Sequence, residues 1–144
     1  LGPYAAATCR YFFPAEPEQL ACAVLSRAKG GGVETAIAVT ATFPGGGSFL
    51  GHYGFGAEYQ NWVSATGVGI AVRLDRFCTP PADAALVIGV RSENRESTVE
   101  TPAGDCFARV FERVLDCIAA GGAPELFDAM LRDAGFRDRL RDAA

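Results

Sequence analysis

The chain has 144 residues, of which 49% are apolar and 21% charged, with a formal net charge of −4. That balance suits one globular domain with a core and argues against disorder. The acidic sign gives no electrostatic pull toward nucleic acid or an anionic membrane, and no apolar run reaches the roughly 18 residues that would cross a bilayer.

Leu1 is not preceded by a charged segment and no A-x-A cleavage pattern follows it, so the start is read as structure belonging to a longer protein and not as a leader. Pro3 suits a first helical position, and residues 4–13 are rich in alanine and aromatics, which predicts a helix stopped by Pro14 and Pro17. Residues 19–26 form a short apolar strand, and Gly30, Gly31 and Gly32 make a turn. Residues 33–43 alternate. Val33, Thr35, Ile37, Val39, Ala41 and Phe43 fall on one face, Glu34, Ala36, Ala38, Thr40 and Thr42 on the other. A hairpin at Pro44 to Gly47 leads to a return strand with Phe49, Gly51, Tyr53 and Phe55 on one face and Leu50 and His52 on the other. Further strands are expected over 60–65, 68–74 after a turn at Gly67, 85–91 and 97–101, with connections short enough for antiparallel pairing.

The period changes after Gly104. Phe107, Val110, Phe111, Val114, Leu115 and Ile118 recur at threes and fours, one apolar stripe on a helix that Gly121 and Gly122 end. Pro124 opens another helix with Leu126, Phe127, Met130 and Leu131 facing inward. Residues 136–144 alternate in charge, and the pairs Asp133 with Arg137 and Asp138 with Arg141 have helical spacing, which reads as a solvated helix face. Helix, strands and then helices predict an α+β fold, an open and mostly antiparallel sheet covered on one face by helices. The uncovered face, with its small residues, threonines and aromatics, is expected to be a subunit interface.

The residues alone carry little chemistry. Cys9, Cys22, Cys78, Cys106 and Cys117 lack a C-x-x-C pair or a nearby histidine. Free thiols in a reducing cytoplasm are therefore expected, with neither a disulfide framework nor a metal site. The glycine clusters at 30–32, 45–47 and 51–56 do not stand between a first strand and a helix, as a dinucleotide fingerprint requires, and read as hairpin turns. His52 is the only histidine, and on a strand it reads as a satisfied or half-exposed side chain. Trp62 reads as core or interface.

Five stretches add a different kind of information. They are Leu1-Gly2-Pro3-Tyr4-Ala5-Ala6, Thr42-Phe43-Pro44-Gly45-Gly46, Asn61-Trp62-Val63-Ser64-Ala65-Thr66-Gly67-Val68-Gly69, Arg76-Phe77-Cys78-Thr79-Pro80-Pro81, and the helix of residues 107–122. In order and spacing they resemble the C-terminal domain of the glucose–fructose oxidoreductase / inositol dehydrogenase family of NAD(P)-dependent oxidoreductases, and in particular its sugar ketoreductases. The resemblance implies that residues 1–144 are the substrate and oligomerisation domain of a two-domain enzyme acting on a sugar or nucleotide-sugar. It also implies dimers or tetramers built through the sheet face. NAD or NADP would be held by an N-terminal Rossmann domain outside this chain, together with the family's catalytic lysine and the aspartate expected just before Leu1. Only Tyr4 lands on a family catalytic position, occupied there by histidine or, in some sugar ketoreductases, tyrosine. A phenol beside a cationic lysine can donate a proton to a sugar carbonyl; the alternative role for Tyr4 is to pack the first helix on the sheet. The chain alone is expected to be inactive and to bind no nucleotide. The competing reading is a non-catalytic α+β assembly or small-ligand-binding module.

Overall fold

A computed structural model describes residues 1–144. The elements run α1 (Gly2–Phe12), β1 (Gln19–Arg27), β2 (Glu34–Phe43), β3 (Gly47–Gly54), β4 (Trp62–Gly67), β5 (Ile70–Asp75), β6 (Val87–Ser92), β7 (Arg95–Glu100), α2 (Cys106–Ala119) and α3 (Pro124–Asp142). The fold is α+β, and every strand pairing is antiparallel. The strands are shared between two sheets, β1-β2-β3 and β4-β5-β6-β7. Correspondingly the chain divides into two compact units, Leu1–Ala57 with Ala123–Ala144, and Glu58–Gly122.

The first unit is organised by the alternation in β2. Ile37, Val39, Ala41 and Phe43 are buried and pair across to Val24, Cys22 and Leu20 of β1 and to Tyr53, Gly51, Phe49 and Gly47 of β3. Gly51 is required there. A Cβ would stand 2.7 Å from the Tyr53 ring and 2.8 Å from that of Phe49, so a bare α-carbon lets the two aromatics close over it. Phe13 stacks on Phe43 with ring centroids 3.9 Å apart. Onto this face α1 lays Ala5, Ala6 and Cys9, whose small size lets the helix lie close.

The last helix departs from expectation. It runs unbroken from Pro124, and it is Phe136 and Leu140, inside the stretch read as a solvated face, that are buried. Leu126, Phe127, Met130 and Leu131, expected to face inward, are exposed. Contacts with α1 and its following loop set this rotation. Asp133 takes a two-pronged hydrogen bond from Arg10 of α1, at 2.8 and 3.2 Å, in place of the helical partner Arg137. Arg139 reaches the Pro17 carbonyl at 2.9 Å. Of the two helical pairs expected, Asp138 with Arg141 forms, at 2.9 Å.

In the second unit the strands shift by about two residues from their expected bounds, because the turns lie elsewhere. Gly69 at φ 75° makes the β4–β5 turn, and Glu93 and Asn94, at φ 50° and 61°, make a two-residue hairpin between β6 and β7. One face of this sheet carries Val63, Ala65, Val72, Leu74, Ile88, Val90 and Val99, and the other carries Trp62, Ser64, Arg73, Arg91, Glu96 and Thr98. No side chain of the unit is fully buried. The edge strand β7 is exposed at every residue. Helix α2 is capped by the Asp105 carboxylate, which accepts from the Phe107 and Ala108 amides. Its apolar stripe exists as expected but is uncovered, since none of its residues is buried. No helix of the protein is long and apolar enough to cross a membrane.

Candidate active site

Tyr4 stands in the first turn of α1, behind Pro3. Its amide donates to the Leu1 carbonyl at 3.1 Å, and its carbonyl accepts from the Thr8 hydroxyl at 2.7 Å. The buried face of α1 is made by Ala5, Ala6, Thr8 and Cys9. Tyr4 lies outside the core, 50% exposed. The alanines and Cys9 pack this helix on its sheet, and half of the Tyr4 side chain stands in water. Tyr11, two turns on, is also exposed.

His52 projects from β3 on the side away from α1 and α3, opposite Ala38, and is exposed. The three glycine clusters sit at or beside strand ends. Gly30–32 joins β1 to β2, Gly45–47 joins β2 to β3, and residues 51–56 belong to β3 and the bend after it. The N-terminus of α2, where backbone amides would otherwise attract an anion, is filled by Asp105. Neither these glycine clusters nor the α2 N-terminus offers a dinucleotide fingerprint. No group of three or more His, Cys, Asp or Glu is placed to hold a metal ion.

All five cysteines are free. Cys9 behaves as a small core hydrophobe, its thiol pushed up to about 12 by burial, and burial also raises Cys22 and Cys78. Such thiols are protonated at neutral pH and poor nucleophiles.

The second unit holds features that sequence reasoning missed. Asn61 clamps the segment after β5: its side-chain oxygen accepts from the Cys78 amide at 2.9 Å, while its amide donates to the Cys78 carbonyl. This holds a segment in which Arg76 and Thr79 have φ of 57° and 54°. The Arg76 guanidinium lies 5.5 Å from the centre of the Tyr59 ring, and Arg73 lies 4.4 Å from that of Trp62. Trp62, expected as core or interface, is half-exposed beneath that arginine. On the same face a shallow depression of 490 Å³ is lined by Ser64, Arg73, Gly89, Arg91, Glu96 and Thr98, among others. Ser64, Arg73, Gly89 and Thr98 form one row across four strands. Only the register brings them together, so the local pattern around each residue gave no signal.

No family model matches this chain, and no curated protein does. Solved structures do. KijD10, a 3-ketoreductase from Actinomadura kijaniata, in complex with TDP-benzene and NADP in an open conformation, superposes with a TM-score of 0.92 over 100% of this chain at 23% identity. The fold is shared. The same enzyme with NADP gives 0.91 over 99% of this chain, also at 23% identity. A tyrosine-to-phenylalanine mutant of KijD10 gives 0.91 over 99% at 22% identity. This chain spans less than half of KijD10, 46% or 44% of its length in these structures.

Proposed function

We propose that this chain is the substrate-side and oligomerisation half of an NAD(P)-dependent oxidoreductase that interconverts a sugar ketone and secondary alcohol, the sugar being free or nucleotide-linked. The observation that carries the reading is the match of the whole chain to under half of a 3-ketoreductase whose structures contain NADP and TDP-benzene. It agrees with the family resemblance of the sequence. The nicotinamide is assigned to the other half of the protein, as the family resemblance implies; bound there, it would supply the hydride that the carbonyl carbon accepts. This chain contributes the Tyr4 hydroxyl, which gives its proton to the carbonyl oxygen as the alcohol forms. Its half-exposed position outside the core supports that role. Copies associate through the outer face of β1-β2-β3, where Ala21, Ala23, Thr40, Thr42, Leu50 and His52 are exposed, and a protein of this kind works in the cytoplasm.

The test is kcat of Tyr4→Phe in the full-length enzyme, with its melting temperature alongside. Loss of a general acid lowers the rate by on the order of 10² to 10⁴. Turnover within a few-fold of wild type would leave this chain without a catalytic residue and favour a non-catalytic binding or assembly module.

A further inference from the structure

The apolar stripe of α2 lacks a cover. Phe107, Val110, Phe111, Val114, Leu115 and Ile118 are 45–70% exposed, while Arg109, Glu112, Arg113 and Asp116 occupy the other side of the same helix. A 14-residue helix with such a stripe facing water is marginal by itself. The total surface shows how much cover is wanting. The chain exposes 10221 Å², whereas two self-sufficient domains sharing its mass would together expose roughly 8,500 Å² even without touching each other. The excess, roughly 1,700 Å², exceeds the 800 Å² or so that one partner contributes to a standard interface.

We propose that the apolar face of α2 is the surface on which the nucleotide-binding half of the intact protein docks; this rests on the two-domain reading above. Two observations select that occupant. KijD10, matched over all of this chain, has more than half its length outside the match. The size also fits. Six half- to two-thirds-exposed side chains present roughly 600 Å², or about 1,200 Å² counting both sides. That falls inside the range of about 600–1,500 Å² for domains joined by one chain, but only at the lower limit for independent partners. The remaining excess is left for a second copy on the outer face of β1-β2-β3.

The experiment compares amide hydrogen exchange over Cys106–Ala119 in the full-length protein and in the 144-residue chain, with NADP binding to the full-length protein measured by titration. Exchange at least 10-fold slower in the full-length protein, unchanged on dilution, is expected. In the full-length protein Leu115→Glu returns α2 to the rate of the isolated chain while NADP binding persists; Leu115→Ala, a milder change, gives an intermediate rate if the charged variant does not fold. A full-length protein that binds NADP but leaves α2 as fast as in the isolated chain overturns this inference alone. Protection that disappears on dilution makes a second copy the occupant and also overturns it. A coding sequence with nothing upstream of Leu1, or a full-length protein that binds no nicotinamide nucleotide, overturns the two-domain reading as well.

Discussion

In the unit built on β1-β2-β3, alternating strands meet two helices of the same chain, and nine apolar side chains are buried. In the unit built on β4-β5-β6-β7 the alternation is as regular, with Val63, Val72, Leu74, Ile88 and Val90 on one face, yet every one of them keeps partial contact with water. Alternation reports that a face is to be covered. It carries no information about whether the cover is an intramolecular helix or another body.

The sharpest way to break this contrast is to cut one large side chain from each sheet unit. Phe136→Ala empties a site that is 5% exposed beside Leu140 and α1, and it costs about 3–5 kcal/mol. That is a large share of the stability of an ordinary domain. Ile88→Ala, at a half-covered position, costs under about 1.5 kcal/mol. Urea unfolding of both variants measures the difference, and equal losses would mean that the second sheet is as well covered in solution as the first. A smaller effect tests how the second unit holds itself together by polar contacts. Asn61→Ala removes both hydrogen bonds to Cys78 and costs about 1–3 kcal/mol. Hydrogen exchange accelerates at the Cys78 amide and leaves β2 unchanged.

The smallest effect at neutral pH belongs to Cys9. Its thiol is raised from 9.0 to about 12 by burial in the first unit, so the folded state favours the protonated form. That contribution is complete below pH 9 and is lost as the pH climbs from 9 toward 12. Urea midpoints at pH 7 and pH 10.5 should lie farther apart in wild type than in Cys9→Ala. Cys22 and Cys78, also raised, remain in both proteins and cancel when the two separations are subtracted.

Legibility in the sequence followed the range of the interaction. The faces of β2 and β3 and the glycine hairpin between them were plain, because pleat and turn are local properties of the chain. The stripe on α2 was equally plain. The inward face of α3 was not: Phe136 and Leu140 sit among seven charged residues from Arg132 to Asp142, and only docking against α1 through Arg10 and Asp133 selects them. The Glu93-Asn94 turn was missed because Glu at positive φ gives no recognisable signal. The division of the strands into two sheets depends on pairing, which no single stretch encodes. At the candidate site, Tyr4 was reached through the resemblance, whereas its exposure followed from how Ala5, Ala6 and Cys9 pack. The Asn61 clamp joins residues 17 apart and had no local signature.

The outer strand β7 has a consequence for how such a half-covered sheet survives in a crowded solution. A bare strand edge offers unpaired amides and carbonyls to any other extended chain and can seed fibres. Here that edge is six residues long and carries Arg95, Glu96 and Glu100, all in water. An incoming strand would have to lay its own side chains beside charges of both signs. Along β7 the unit thus keeps its stickiness on its faces, where shape can select a partner, and withholds it from this edge, where almost any peptide would do. Replacing Arg95, Glu96 and Glu100 by threonine should then make the chain more prone to fibrils.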